Sequence, residues 1–146
     1  MERKQFLRTL GSGAAFALVF PCVGGCSKDK ADGDIKEEPS GVDFTIDLDS
    51  EEGAKLKNNG DFILKNDVVV VKNLEGNFVA ASQICSHEGY DQVRFQQEDG
   101  GIFECSVHNS RFAQDGTPLN QVGSTPAKPL KIFKTELNGQ ILRVFE

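Results

Sequence analysis

The sequence predicts an all-β fold, an antiparallel sandwich or partial barrel, and three observations carry that prediction. From Val42 onward the chain either alternates apolar and polar residues or gathers apolar residues into short runs, as half-buried and fully buried strands do. Almost nowhere does the 3.6-residue spacing of an amphipathic helix appear. Clusters of Gly, Asn and Asp separate the runs at hairpin distances. With 146 residues, 38% of them apolar, the chain is the size of one domain, and a multidomain machine is excluded.

The elements follow in order. Phe44-Thr45-Ile46-Asp47-Leu48-Asp49 alternates cleanly and reads as the first strand. Ser50 to Asn58 hints at a single helical turn, weakened by Gly53. Phe62-Ile63-Leu64 and Val68-Val69-Val70-Val71 are brief apolar runs, and the Lys72–Asn77 turn feeds Phe78 to Ala81, making a hairpin. A second hairpin pairs Val93–Gln96 with Ile102–Glu104 across Glu98–Gly101. A third joins Lys131–Lys134 to Ile141–Phe145 through Asn138-Gly139.

The N-terminus has the layout of an export signal at 1–25. Residues 1–8 are basic, and Thr9 to Gly25 is an uncharged run of 17 residues broken by Gly and Pro, short of the roughly 20 residues that span a bilayer. Arg3-Lys4-Gln5-Phe6-Leu7-Arg8 resembles the twin-arginine export motif, with Lys4 in place of the second Arg, which leaves the general secretory route open. Val23-Gly24-Gly25-Cys26 resembles a bacterial lipobox. It implies lipid attachment at Cys26 and a location on the periplasmic side of a bacterial membrane, lipid-anchored. A chain beginning at Cys26 loses three basic residues and one acidic residue, which takes the net charge from −6 to −8. Ser27 to Gly41 contains one large apolar residue, Ile35, so 26–41 reads as a flexible linker and 42–146 as the folded domain.

The acidic balance argues against nucleic acid as a partner, because phosphate neutralisation needs a surplus of Lys and Arg. The chemistry must come from four Cys and two His. Every Cys and His of the body lies in two short segments, Cys85-Ser86-His87-Glu88-Gly89-Tyr90 and Cys105-Ser106-Val107-His108-Asn109-Ser110, with 17 residues between His87 and Cys105. Each segment follows an expected strand, and the intervening hairpin can bring both loops to one end of the fold. Three arrangements suit these residues. They are a pair of buried free thiols beside core imidazoles, a tetrahedral Zn site in a structural β domain, and a 2Fe-2S cluster with two thiolates on one iron and two imidazoles on the other. The usual Zn spacing groups Cys with Cys and His with His, unlike this one.

The two segments resemble the boxes of the Rieske family, C-x-H-x-G and C-x-x-H-G-S-x followed by Y or F. Thr125-Pro126-Ala127-Lys128-Pro129-Leu130 also resembles that family's proline-containing loop over the cluster. The resemblance implies a Rieske-type sandwich or partial barrel with a small cluster-binding subdomain. It further implies Cys85 and Cys105 on the iron that stays ferric, with His87 and His108 on the iron that accepts the electron, each through its delta nitrogen. The other ring nitrogens then face solvent at the tip of the domain.

Departures from the family pattern bear on the reduction potential. Tyr90 and Val107 stand where Rieske proteins of quinol-oxidising cytochrome bc complexes carry a disulfide, so no disulfide links the loops here. Ser110 matches the Ser that donates a hydrogen bond to a bridging sulfide, whereas Phe112 replaces a Tyr hydroxyl donor. Glu88 adds negative charge beside a cluster that becomes more negative on reduction. Together these imply a midpoint in the lower or middle part of roughly −150 to +300 mV. Asn109 replaces a box Gly and is expected at positive φ, which Asn tolerates.

Rieske oxygenases react at a separate iron held by two His and a carboxylate, and no His is spare here, so a stand-alone oxygenase is excluded. No nucleophile–imidazole pair is left for covalent catalysis either. The expected role is one-electron transfer by an exported, membrane-tethered carrier between redox protein partners, with a cytochrome or quinol among the candidates. A Rieske subunit of a quinol-oxidising cytochrome bc-type or other respiratory complex is the alternative. Soluble Rieske ferredoxins also lack the disulfide but work in the cytoplasm. The acidic body implies a basic docking surface on the partner and an on-rate that falls with salt.

Overall fold

A computed structural model of the chain describes residues 33–124 and 126–146; the expected export signal at 1–25, Cys26 and Thr125 lie outside the described residues. Among the described residues nine strands form: β1 (Asp43–Asp47), β2 (Phe62–Lys65), β3 (Val68–Lys72), β4 (Phe78–Ser82), β5 (Val93–Gln96), β6 (Ile102–Cys105), β7 (Ser110–Phe112), β8 (Ile132–Asn138) and β9 (Ile141–Phe145). A six-stranded antiparallel sheet, ordered β1-β9-β8-β4-β3-β2, curls into a half-barrel, and β5-β6-β7 make a second, smaller sheet. This is the sandwich or partial barrel with a subdomain that the sequence predicts. The helical hint at Ser50 to Asn58 becomes a single 3-10 turn at Gly53–Leu56.

The three expected hairpins form, the last closing at Asn138↔Ile141. A fourth hairpin joins two runs that carry no Gly between them: β2 turns into β3 at Asn66-Asp67, whose φ values of 52° and 59° suit the two-residue turn that matches strand twist. β7 is the other addition, three residues inside what looked like a loop.

β3 explains how one sheet serves two cores. Its four valines are fully buried, and strand alternation sends them to opposite faces. Val68 and Val70 join Ile46, Leu56, Ala80, Phe133, Leu142 and Val144 inside the half-barrel. Val69 and Val71 join Ala81, Val93, Phe95, Phe103, Phe112 and Leu130 between the two sheets, where Cys85 and Cys105 also sit. Each buried Val, Leu or Phe among them contributes roughly 1.5 kcal/mol or more, so the small sheet is welded to the large one.

The linker expected over 26–41 lies against the domain in its described part. Lys36 N–H donates to Gly89 O at 2.7 Å, Gly41 N–H donates to Glu146, and Lys131 Nζ donates to Pro39 O. Ile35 itself stays 69% exposed. The segment is held through backbone groups rather than apolar burial, and hydropathy is blind to such bonds. Among the described residues no helix is long and apolar enough to cross a membrane.

Candidate metal centre

The first loop leaves β4 through a polar knot. Ser82 Oγ accepts from Ile84 N–H and donates to Ile84 O. The loop then closes on itself, Gly89 N–H donating to Cys85 O and Cys85 N–H to Tyr90 O, both at 2.8 Å. Gly89 has φ +74°, and a Cβ there would come 2.9 Å from Lys36 O, so only Gly suits the position. The second loop is the β6–β7 hairpin, with Cys105 and Ser110 directly opposite in the register. Asn109 has φ 56°, the conformation expected of an Asn at the box Gly. Val93 on β5 pairs with Cys105 and takes Gln83 O as its hydrogen-bond acceptor, which sets the second loop beside the first.

All four donors meet at one end of the fold. Cys85 and Cys105 are buried free thiols. Their mutual hydrogen bond pulls the Cys85 thiol down to about 6, helped by the His87 and Glu88 backbone N–H groups, although burial opposes this. The same bond, with burial, pushes the Cys105 thiol up. Such a pair carries one negative charge readily and a second only when a cation compensates it. The His87 and His108 rings stand edge to face with centroids 5.4 Å apart, and the Tyr90 ring meets His108 edge-on at 5.8 Å.

Among the described residues three buried polar atoms lack any hydrogen-bond partner: Arg111 Nε, which faces Glu104 Oε2 at 3.2 Å, and two at the site, His87 Nδ1 and Ser110 Oγ. Leaving such groups unpaired costs about 1–3 kcal/mol each. Both site atoms are at positions where the sequence expects contact with a cluster, one as ligand and one as hydrogen-bond donor. His108 Nδ1 lies 3.4 Å from Glu88 Oε2, too long for a committed hydrogen bond. Paired thiols, an orphaned imidazole nitrogen and an orphaned hydroxyl therefore fit an iron–sulfur cluster. Phe112 is buried in the core beside the thiols, and Glu88 is exposed at the rim.

Pro126, Ala127 and Lys128 of the proline loop line a cleft with Ser86, His87, Ser110 and Phe112. Ser86 Oγ donates to Lys128 O at 2.9 Å, tying that loop to the first. Asn120 supports the second loop, donating to Asn109 O and accepting from Arg111 N–H. Neither Ser86 nor Asn120 was legible as a site residue, because a lone Ser or Asn in a polar loop carries no local pattern.

Fold and donor set together define a small β protein that presents two thiols and two imidazoles from paired loops at one end. The family model described as the Rieske [2Fe-2S] domain matches residues 45–134, and the chain belongs to that family. It is 29% identical over 73 residues to the biphenyl dioxygenase ferredoxin subunit of a Pseudomonas species, a match covering 49% of this chain and 64% of that protein, thus less than two thirds of the relative's length. The ferredoxin of carbazole 1,9a-dioxygenase from Nocardioides aromaticivorans is similar at 27% identity and a TM-score of 0.47, covering 62% of this chain and 91% of that one. The cyanobacterial plasma membrane Rieske protein from Synechocystis is similar at 29% identity and a TM-score of 0.48, covering 64% and 93%. A Rieske domain binds a 2Fe-2S cluster, and its function is electron transfer.

Proposed function

We propose that Cys85 and Cys105 hold one iron and His87 and His108 the other, and that the chain is an exported, membrane-tethered one-electron carrier. The observation that carries the ligand set is the convergence of all four residues on two adjoining loops, with His87 Nδ1 buried and unpartnered between them. The cluster, when bound, supplies the one-electron chemistry. The residues around it govern access: Tyr90, Val107 and Phe112 pack apolar surface against the second core, while the His108 side chain, 38% exposed, brings the imidazole end to solvent.

The tether fits that role. The described chain begins at Gly33, alongside Asp91 and Gln92 just beyond the first loop, and the six residues 27–32, seven Cα steps, separate it from Cys26. Fully extended, those residues reach at most about 25 Å. A lipid on Cys26 would therefore keep the cluster end close to the membrane surface, within reach of a membrane-held cytochrome or quinol. A redox protein partner is supported by the ferredoxin relatives. The exposed loops at this end carry Glu88 and Lys128 as their charged side chains, so the chain's acidity acts by long-range steering towards a basic partner while the contact itself is nearly neutral.

Electron paramagnetic resonance of the dithionite-reduced protein tests this reading, beside His108→Cys and Cys105→Ala. The expected result is a low average g value for the parent chain, a shifted spectrum for His108→Cys and loss of signal for Cys105→Ala. A silent parent chain with stoichiometric zinc would overturn it in favour of a metal-stapled β domain.

A further inference from the structure

The segment before β1 makes a set of contacts that cluster binding does not require of it. Ile35 forms an antiparallel bridge with Tyr90. Around that bridge, Lys36 N–H donates to Gly89 O at 2.7 Å and Asp91 N–H to Asp34 O at 3.0 Å, while Asp34 N–H reaches Asp91 Oδ1 at 2.9 Å. The approach is close enough that a Cβ on Gly33, whose φ is +135°, would stand 2.6 Å from Gln92 Cγ. The segment thus runs as a one-bridge strand along the outer edge of the first ligand loop.

Lys36 adds a side-chain contact that spans the molecule's two parts. Its Nζ lies 2.8 Å from Asp67 Oδ1 in the β2–β3 turn and 3.5 Å from Asp91 Oδ2 just beyond the first loop. Asp67 belongs to the large sheet and accepts Gln83 N–H through its carbonyl. One ammonium therefore ties the large sheet to the chain leaving the first loop. Behind the loop, the Tyr90 ring meets His108 edge-on, so whatever holds Tyr90 also holds the imidazole of the other loop. Nothing covalent joins the two loops, since Tyr90 and Val107 offer no sulfur and both described cysteines are free.

We propose that Gly33–Lys36 is a clamp on the first ligand loop, with Lys36 as a positioning residue that latches it to Asp67 and Asp91 and fixes His108 through Tyr90. The clamp rests on the ligand assignment above. It acts on the lifetime and ligand geometry of the cluster, not on the fold of the half-barrel, to which Gly33–Lys36 adds only the Asp67 contact.

The test uses the full-length, cluster-loaded chain and three variants: Lys36→Pro, which removes both the donor to Gly89 and the latch; Lys36→Met, which removes the latch alone; and Lys36→Arg, which keeps the charge. Cluster release to excess chelator is followed by absorbance, and the reduced-state paramagnetic resonance spectrum reports ligand geometry. Lys36→Pro should release its cluster roughly tenfold faster and Lys36→Met about threefold faster, as expected for losing one hydrogen bond or ion contact from a local opening. Both should show altered g values, with thermal melting of the sheet unchanged. Lys36→Arg should restore the parent rate and spectrum. Parent-like release and spectra in Lys36→Pro overturn the clamp alone, and Lys36→Arg behaving like Lys36→Met overturns the latch. A parent chain without the cluster signal overturns the ligand assignment and the clamp with it.

Discussion

The two cores of this protein are built to different rules. Inside the half-barrel, Val68, Val70, Ile46, Leu142 and Val144 pack as aliphatic side chains on register-matched strands. Between the sheets, equally buried Phe103 and Val93 share their core with two free thiols, and Ser110 Oγ and His87 Nδ1 beside them lack partners. The first arrangement maximises apolar burial. The second gives up stability where orphaned groups wait for something to bind, which is how a site shows itself. β3 couples the two by facing both ways, so the half-barrel serves as the fixed wall against which the two Cys- and His-bearing loops are held.

Removing the metal should break this comparison most visibly. After iron chelation under reducing conditions, backbone amides of Cys85 to Tyr90 and Cys105 to Ser110 should exchange at least about tenfold faster, while those of β3, β4 and β9 keep their protection. Hydrogen exchange read by mass spectrometry checks this, and collapse of both regions together would show that the cluster, rather than β3, holds the half-barrel.

Side-chain truncation sharpens the contrast. Phe103→Ala should cost about 3–5 kcal/mol and Leu142→Ala about 2–5 kcal/mol, since both side chains are fully buried. Denaturant unfolding of the apo-protein should show one transition for each, because Val69 and Val71 lock the small sheet to the large one. A second transition in Phe103→Ala alone would mean that the subdomain melts independently.

Acid should act more gently and on both regions. The Arg143 fork holds Asp43 below its ordinary value across β1 and β9, and Lys131 with the Gly41 N–H does the same for Glu146. At Asp91, burial works upward, but bonds from Gln92, the Asp34 N–H and Lys36 prevail and lower it. Carboxylates depressed in the folded state stabilise it fully above their unfolded pKa and lose that contribution as pH falls through the folded value. The carboxylate contribution should therefore be flat above about pH 5 and decline below about pH 4. Melting temperatures across pH 3–7 would reveal a decline at higher pH if other groups dominate.

Much of this was legible along the chain, and the reasons are local. Cys-x-His and Cys-x2-His name their chemistry by residue type and spacing, and Asn109 at the box Gly position announces its positive φ. The hairpins at Asn73–Asn77, Gly100–Gly101 and Asn138–Gly139 follow from turn residues beside alternating runs. β7 escaped notice because Ser110-Arg111-Phe112 is too short to alternate, and the Asn66-Asp67 turn because neither residue is Gly.

What the sequence determined by itself is the inventory: strands, turns, four donors and the two loops that carry them, each set by side chains within a few residues of one another. Only the tertiary structure decided that β1 lies beside β9 and β4 beside β8, that Asn120 and Ser86 brace the loops, and that Gly33–Lys36 runs along the first of them. Those decisions rest on backbone hydrogen bonds and shared burial between segments far apart in the chain. A backbone N–H is the same at every residue, so no local pattern reveals which distant carbonyl it will meet.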